Sequence, residues 1–240
     1  MASSHERIEK NVGLLAALVA RLRGLELTVF SLPQRPYRNA DLVEQLGGTY
    51  VSTQDATLAE VAAEHGPFDL MLDATGFSPI VWEAADALGK NGVLVLSSST
   101  NNFNSAAVSI TGGILKYGVT AAIPTTSAII VGVGAGLDLN GFDFNPQTQS
   151  LTGGGFVTNS AASTSTLLVA GTSATDVTTT GDVTFGVALG DNNALNAASR
   201  LALTKGGLGT LTFTNTNSVN AGPILVVAGT VNGSATNTFS

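Results

Sequence analysis

Apolar residues follow two different rhythms along this chain. Between Val12 and Leu96 they alternate between helical spacing and short continuous runs. Beyond Asn101 only short runs remain, separated by Gly, Asn, Ser and Thr. In the first stretch Val12, Leu15, Val19 and Leu22 recur at helical spacing, so Val12–Arg23 reads as an amphipathic helix. Glu26–Ser31 reads as a strand, Asn39–Leu46 as a helix stopped by Gly47 and Gly48, and Thr49–Thr53 as a short strand. Thr57 begins a helix to His65, with Glu60 in the capping-box position. His65 sits at that helix's C-terminus, where a cation is favoured. Phe68–Asp73 is the next strand. Ser78 caps a helix to about Leu88, with Pro79 at its first position. Val93–Leu96 is apolar throughout, as strands covered on both faces are. Helix and strand in alternation predict a doubly wound parallel α/β sheet.

The second rhythm predicts only strands: Val108–Ile110, Ala128–Val131, Leu167–Val169, Val183–Phe185, Leu211–Phe213 and Ile224–Val227. Asn140-Gly141 and Asn232-Gly233 are turn signals. Ile129–Gly136 imitates a strand running into a glycine-rich phosphate loop. However, Leu137–Gly141 follows where a helix would start, so a turn between strands is the better reading. Such short spacing suits a sandwich or a β-solenoid.

Composition sharpens the division. Residues 1–100 carry 19 of the 27 charged residues but only 8 of the 28 glycines. A boundary is therefore expected at the polar run 97–102. It separates a leader (1–11) and an α/β domain (12–99) from an all-β region (100–240). The chain has no Cys and two His, which leaves no cysteine chemistry and too few imidazoles for a histidine-built metal site. Its net charge of −7 excludes the basic face a nucleic-acid partner requires. No apolar run approaches the about 20 residues of a membrane span.

Four ordered segments carry a resemblance: Val12–Gly24, Leu27–Ser31, Asp69–Gly76 and Asn91–Leu96. Together they look like a medium-chain dehydrogenase of the glucose dehydrogenase branch. The resemblance implies a partial Rossmann-like sheet binding NADP or NAD. It places Gly13 at the third glycine of the phosphate turn, where small size lets helix and strand approach. Ser31 falls at the ribose contact, Arg35 and Arg38 fall where a 2′-phosphate would sit, and Thr75 and Gly76 fall at the cofactor edge. The first two turn glycines are replaced by Ile8 and Lys10, and residues 1–10 are not a buried strand. The strand missing on this reading is central, so apolar edges should be exposed on its neighbours. Asp73 reads as a structural strand-end carboxylate, and Trp82 as a core residue.

Leu203–Phe213 followed by Asn220–Val231 resembles the strand repeat of bacterial autotransporter passengers. Leu137–Phe142 and Ser150–Asn159 look like further rungs. That resemblance implies a right-handed parallel β-helix, each rung burying its apolar strand against the next, with Asn and Thr bridging coils.

The resulting expectation is a mixed chain: a partial Rossmann-like sheet followed by a parallel β-solenoid. Its function is expected to be structural or adhesive, without catalytic residues or a required cofactor. The alternative is an NAD(P)-dependent oxidoreductase, or a residual nucleotide-binding module without turnover. The first part suits the cytoplasm and the second a bacterial surface, which implies a recombined, truncated or artificial chain. Self-association through exposed strand edges is the expected protein contact.

Overall fold

A computed structural model describes residues 4–99, 101, 103, 107–125, 127–147, 151–169, 176–190, 200–214, 219–220, 222–233 and 238–239. Thr100, Asn102, Ser150 and Ala221, which belong to segments singled out above, lie outside the described residues. In chain order the elements begin with α1 (Ser4–Leu22), β1 (Thr28–Ser31), α2 (Arg38–Gln45), β2 (Thr49–Ser52) and α3 (Leu58–His65). Next come β3 (Phe68–Asp73), α4 (Ser78–Asp86) and β4 (Leu88–Leu96). Strands follow: β5 (Val108–Ile110), β6 (Ile114–Tyr117), β7 (Ile129–Val131), β8 (Gly136–Asp138), β9 (Phe144–Gln147), β10 (Leu151–Thr152), β11 (Phe156–Thr158) and β12 (Thr164–Val169). The rest are β13 (Val183–Phe185), β14 (Ala188–Leu189), β15 (Arg200–Lys205), β16 (Thr210–Phe213), β17 (Val219–Asn220), β18 (Ile224–Val226), β19 (Thr230–Asn232) and β20 (Thr238–Phe239). The fold is mixed α/β with parallel sheets.

Two compact units result: Met1–Phe68 with Ile80–Ala87, and Asp69–Pro79 with Leu88–Ser240. In the first, β1 and β2 pair in parallel, Thr28 opposite Thr49 through Ser31 opposite Ser52. Helix α2 lays Ala40 and Val43 against Tyr50, and Leu14, Val29 and Tyr37 close this small core. Arg21 Nε donates to the Leu46 carbonyl at 2.8 Å, tying α1 to the end of α2. The capping box at α3 is formed. The Glu60 amide donates to Thr57 Oγ1 at 3.2 Å, and the Thr57 amide donates to Glu60 Oε2 at 2.8 Å.

Three sequence expectations need correction here. Helix α1 does not begin at Val12 but runs from Ser4, so most of the supposed leader is helical. The four strands of the first stretch do not share one sheet. β1 and β2 form their own, whereas β3 and β4 join β6, β8, β11 and β14. Register with the following strands draws β4 into that second sheet: Val93 to Leu96 pair with Ile114 to Tyr117, which buries Leu94 and Leu96. Trp82 is not core, being 40% exposed.

The second unit is a regular stack. From β4 onward successive strands of the chain visit different sheets, giving one sheet in the order β19-β16-β13-β10-β7-β5 and a second in the order β14-β11-β8-β6-β4-β3. A third runs β18-β15-β12-β9. Every pair with a resolved register is parallel, for example Val93 opposite Ile114 and Ile114 opposite Gly136. Period-2 alternation turns one residue type inward in register. Leu94, Leu115, Leu137, Val157 and Leu189 follow one another in the second sheet, and all are buried. In the first sheet Ile129, Leu151, Phe185 and Phe213 do the same, with the two rings edge to face at 5.8 Å.

Polar side chains connect neighbouring layers. Asn159 Nδ2 donates to the Ser163 and Arg200 carbonyls, and Asn140 Nδ2 to the Tyr117 carbonyl at 2.8 Å. Lys116 Nζ lies 3.2 Å from Asp138 Oδ2 and donates to Ser160 Oγ at 2.6 Å, spanning three layers. The glycine-rich segment after β7 is a turn into β8, not the start of a helix.

Candidate functional site

The C-terminal end of a parallel strand pair is where α/β sheets place ligands. At the end of β1 and β2, three bonds fix the backbone. The Ser52 hydroxyl donates to the Leu32 carbonyl at 3.1 Å, the Thr53 amide to the Ser31 carbonyl at 2.9 Å, and the Tyr50 phenol to the Pro33 carbonyl at 2.7 Å. Burial pushes the Tyr50 phenol up, and the hydroxyl of Ser31 partly offsets that. Ser31 therefore stands at the strand end the sequence assigned to it, beside a rigid aromatic.

The two arginines differ in their surroundings. Arg38 is exposed at the first turn of α2. Arg35 reaches back across the loop. Its guanidinium lies 5.8 Å from the centroid of the Tyr50 ring, and its fork engages both carboxylate oxygens of Glu44, Nη1 at 3.1 Å from Oε2 and Nη2 against Oε1. Asp41 Oδ1 is 3.9 Å from Nη1. The Glu44 hydrogen bond, larger than the other influences, raises the Arg35 guanidinium above its ordinary value. Asp41 and Glu44, one helical turn apart, thus face a cation that sequence reasoning had left free for a phosphate. Nothing in their spacing from Arg35 signalled this. Gln34 Nε2 is likewise engaged, donating to Asp55 Oδ1 at 2.6 Å.

Gly13 lies in the interior of α1, and a Cβ built there would meet nothing within 4 Å. Its expected reason, close approach of helix and strand, is not met among the described residues. Ile8 and Lys10 are helical too. A continuous helix keeps its interior amide hydrogens for its own carbonyls, so this segment offers no turn of free N–H groups to a pyrophosphate.

Thr75 and Gly76 follow β3 in the other unit, so the six expected cofactor residues are divided between the two. Asp73 Oδ1 accepts from the Thr75 amide at 2.9 Å and from Thr75 Oγ1 at 2.7 Å, and Thr75 Oγ1 accepts from the Phe77 amide at 3.1 Å. Gly76 adopts φ of 67°, which favours glycine. Asp73 is buried and organises this turn, and its Oδ2 has no hydrogen-bond partner among the described residues.

The sequence family described as glucose dehydrogenase C-terminus matches residues 10–135. Three curated relatives are similar over part of that stretch. A glucose 1-dehydrogenase of Methanocella arvoryzae is 34% identical over 86 residues, covering 36% of this chain and 24% of the relative. Glucose 1-dehydrogenase 2 of Haloterrigena turkmenica is 37% identical over 96 residues, 40% of this chain and 26% of the relative. Glucose 1-dehydrogenase 2 of Vulcanisaeta moutnovskia is 38% identical over 85 residues, 35% of this chain and 23% of the relative. The chain spans about a quarter of the length of the curated relatives it matches. No solved structure matches it.

Proposed function

This chain belongs to the glucose dehydrogenase C-terminus family, and from that premise we propose that its first part is a nucleotide-recognition segment of a sugar-oxidising, NAD(P)-dependent dehydrogenase. Family membership over residues 10–135 carries the reading. A bound nicotinamide dinucleotide would supply hydride acceptance from a sugar. What this chain's own residues contribute is narrower. The adenosine ribose end fits: Ser31 at the end of β1 offers a hydroxyl to a ribose, and Arg38, nearby in sequence, offers an exposed cation with no ion pair among the described residues. The pyrophosphate end does not fit, because α1 runs straight through the position of the phosphate turn. We therefore assign the Ser31 hydroxyl to the ribose, and Arg35 and Arg38 to the position of a 2′-phosphate, on the adenosine side of the ligand. Gly13 receives no role. This is the residual nucleotide-binding reading, and it assigns no catalytic residue.

Titration calorimetry of the full chain with 5′-AMP and with nicotinamide mononucleotide tests it. The adenosine ligand should bind in the high micromolar to millimolar range, weakened by the lost phosphate cradle, and Ser31→Val should abolish binding. Tighter binding of nicotinamide mononucleotide than of 5′-AMP would sink the assignment.

The parallel three-sheet stack supports a second reading for the remainder, a β-solenoid serving a structural or adhesive role at a cell surface. Nearly all parallel crossovers are right-handed, so the proposed coil is right-handed too. On this reading the compositional break at 97–102 is where the coil's polar sequence begins, and exposed terminal strands are its contact points. No helix among the described residues is long and apolar enough to cross a membrane.

A further inference from the structure

We propose that Glu44 sets cofactor preference by holding Arg35, so that the chain favours an adenosine ribose without a 2′-phosphate until that ion pair is broken. The inference rests on the nucleotide-recognition reading above and adds to it the residue that decides between two ligands. In dinucleotide-binding sheets an Arg near the strand end that contacts the ribose accommodates the 2′-phosphate of NADP. Here Arg35, the more constrained of the two arginines, is not available. Its planar fork is filled by both oxygens of Glu44, its face rests on Tyr50, and Asp41 stands behind at 3.9 Å.

Charge makes the same case. Arg35 and Arg38 are matched by Asp41 and Glu44 on the same short helix. An arriving phosphate dianion thus meets a balanced patch, with its strongest bidentate donor already satisfied. Yet the pair is a gate and not a permanent bond. The Arg35 and Glu44 side chains are 44% and 50% exposed, and exposed ion pairs contribute little to stability and exchange readily. Phosphate and Glu44 therefore compete for one fork. The unphosphorylated ribose needs only the Ser31 hydroxyl and is indifferent to the outcome.

The test is titration calorimetry of the full chain at low ionic strength with 5′-AMP and adenosine 2′,5′-bisphosphate, which differ by the 2′-phosphate alone. Wild-type chain should bind the two within about threefold of one another. Glu44→Gln should tighten the bisphosphate about fivefold to tenfold and leave 5′-AMP unchanged, since one charge-assisted bidentate pair is released to the ligand. Asp41→Asn, more distant, should tighten it less. Arg35→Gln combined with Glu44→Gln should cancel the gain, which isolates the Arg35 contribution. If the wild-type chain binds 5′-AMP but Glu44→Gln leaves the ratio unchanged, the gate is wrong while nucleotide recognition stands. If wild-type chain prefers the bisphosphate more than tenfold, the gate is equally wrong. If neither ligand binds any variant, the recognition reading fails and the gate with it.

Discussion

Lys205 shows how a single residue can be held against its own solvation. Its side chain is fully buried in the second unit, and Nζ donates to the carbonyls of Gly206 at 2.5 Å, Gly207 at 2.8 Å and Ala228 at 3.2 Å. Burial lowers its ordinary value, and Asp182 and Asp176 oppose that. Three ammonium hydrogens meet three carbonyls on two successive turns, which explains why a cation is tolerated in an apolar stack. Lys205→Met removes the donors and leaves the carbonyls, at a cost of about 2–4 kcal/mol. Urea unfolding followed by circular dichroism should report that loss. Lys205→Arg should not restore it, because a planar fork cannot meet three converging oxygens. An unchanged unfolding midpoint for Lys205→Met would show that the carbonyls find other partners. None of this is visible in the sequence, where Lys205 reads as one of the few charges of a polar repeat.

At the level of elements, the second unit's strands with the most apolar runs were legible, whereas β6 (Ile114–Tyr117) was not, and the turns were only partly so. Val108–Ile110 and Val183–Phe185 are strands with the expected bounds, because apolar β-branched and aromatic residues in short runs leave little alternative. The turn at Asn140-Gly141 was equally legible: φ is 48° and 85°, the left-handed pair that Asn-Gly supplies. Gly153 was not. It takes φ of 105°, and a Cβ there would stand 2.0 Å from the Val131 carbonyl oxygen of the preceding layer. Stacking demands it twice over, through conformation and through close approach. Gly153→Ala should cost about 2–4 kcal/mol, because strain and a backbone clash add. The lowered thermal transition can be checked by calorimetry, with Gly112→Ala as a control, since a Cβ there meets nothing within 4 Å. An equal effect at both positions would refute the stacking explanation.

Across the whole molecule, apolar surface remains uncovered where layers end. Phe144, Leu167 and Leu203 are buried in successive strands of the third sheet, but Ile224, Leu225 and Val226 on its edge strand β18 are each more than a third exposed. An edge with such residues, unpaired among the described residues, is a template for another strand. The chain should therefore associate as its concentration rises, and Leu225→Lys should hold it monomeric. Sedimentation velocity across a hundredfold concentration range decides this, and a wild-type chain that stays monomeric throughout sinks the edge-pairing proposal. The first unit also leaves apolar residues outside: Leu15, Leu18, Val19 and Leu22 form an exposed stripe on α1. Periodicity identified that helix, but one stripe could not reveal which side would find a partner.

The sequence by itself determined the two rhythms of this protein, the helices and strands they specify, and membership in a dehydrogenase family through residues 10–135. Those properties are local, fixed by the spacing of apolar residues, by Thr57 with Glu60 at a helix start, and by glycines at turns. Only the tertiary structure decided that β3 and β4 hydrogen-bond into the stacked sheets while β1 and β2 remain a pair, because strand partnership depends on segments far apart in the chain. It alone decided that Arg35 is engaged by Glu44 and that a Cβ at Gly13 would meet no described neighbour within 4 Å. Whether a charged side chain is free for a ligand is settled by what the fold brings against it, and linear spacing does not encode that.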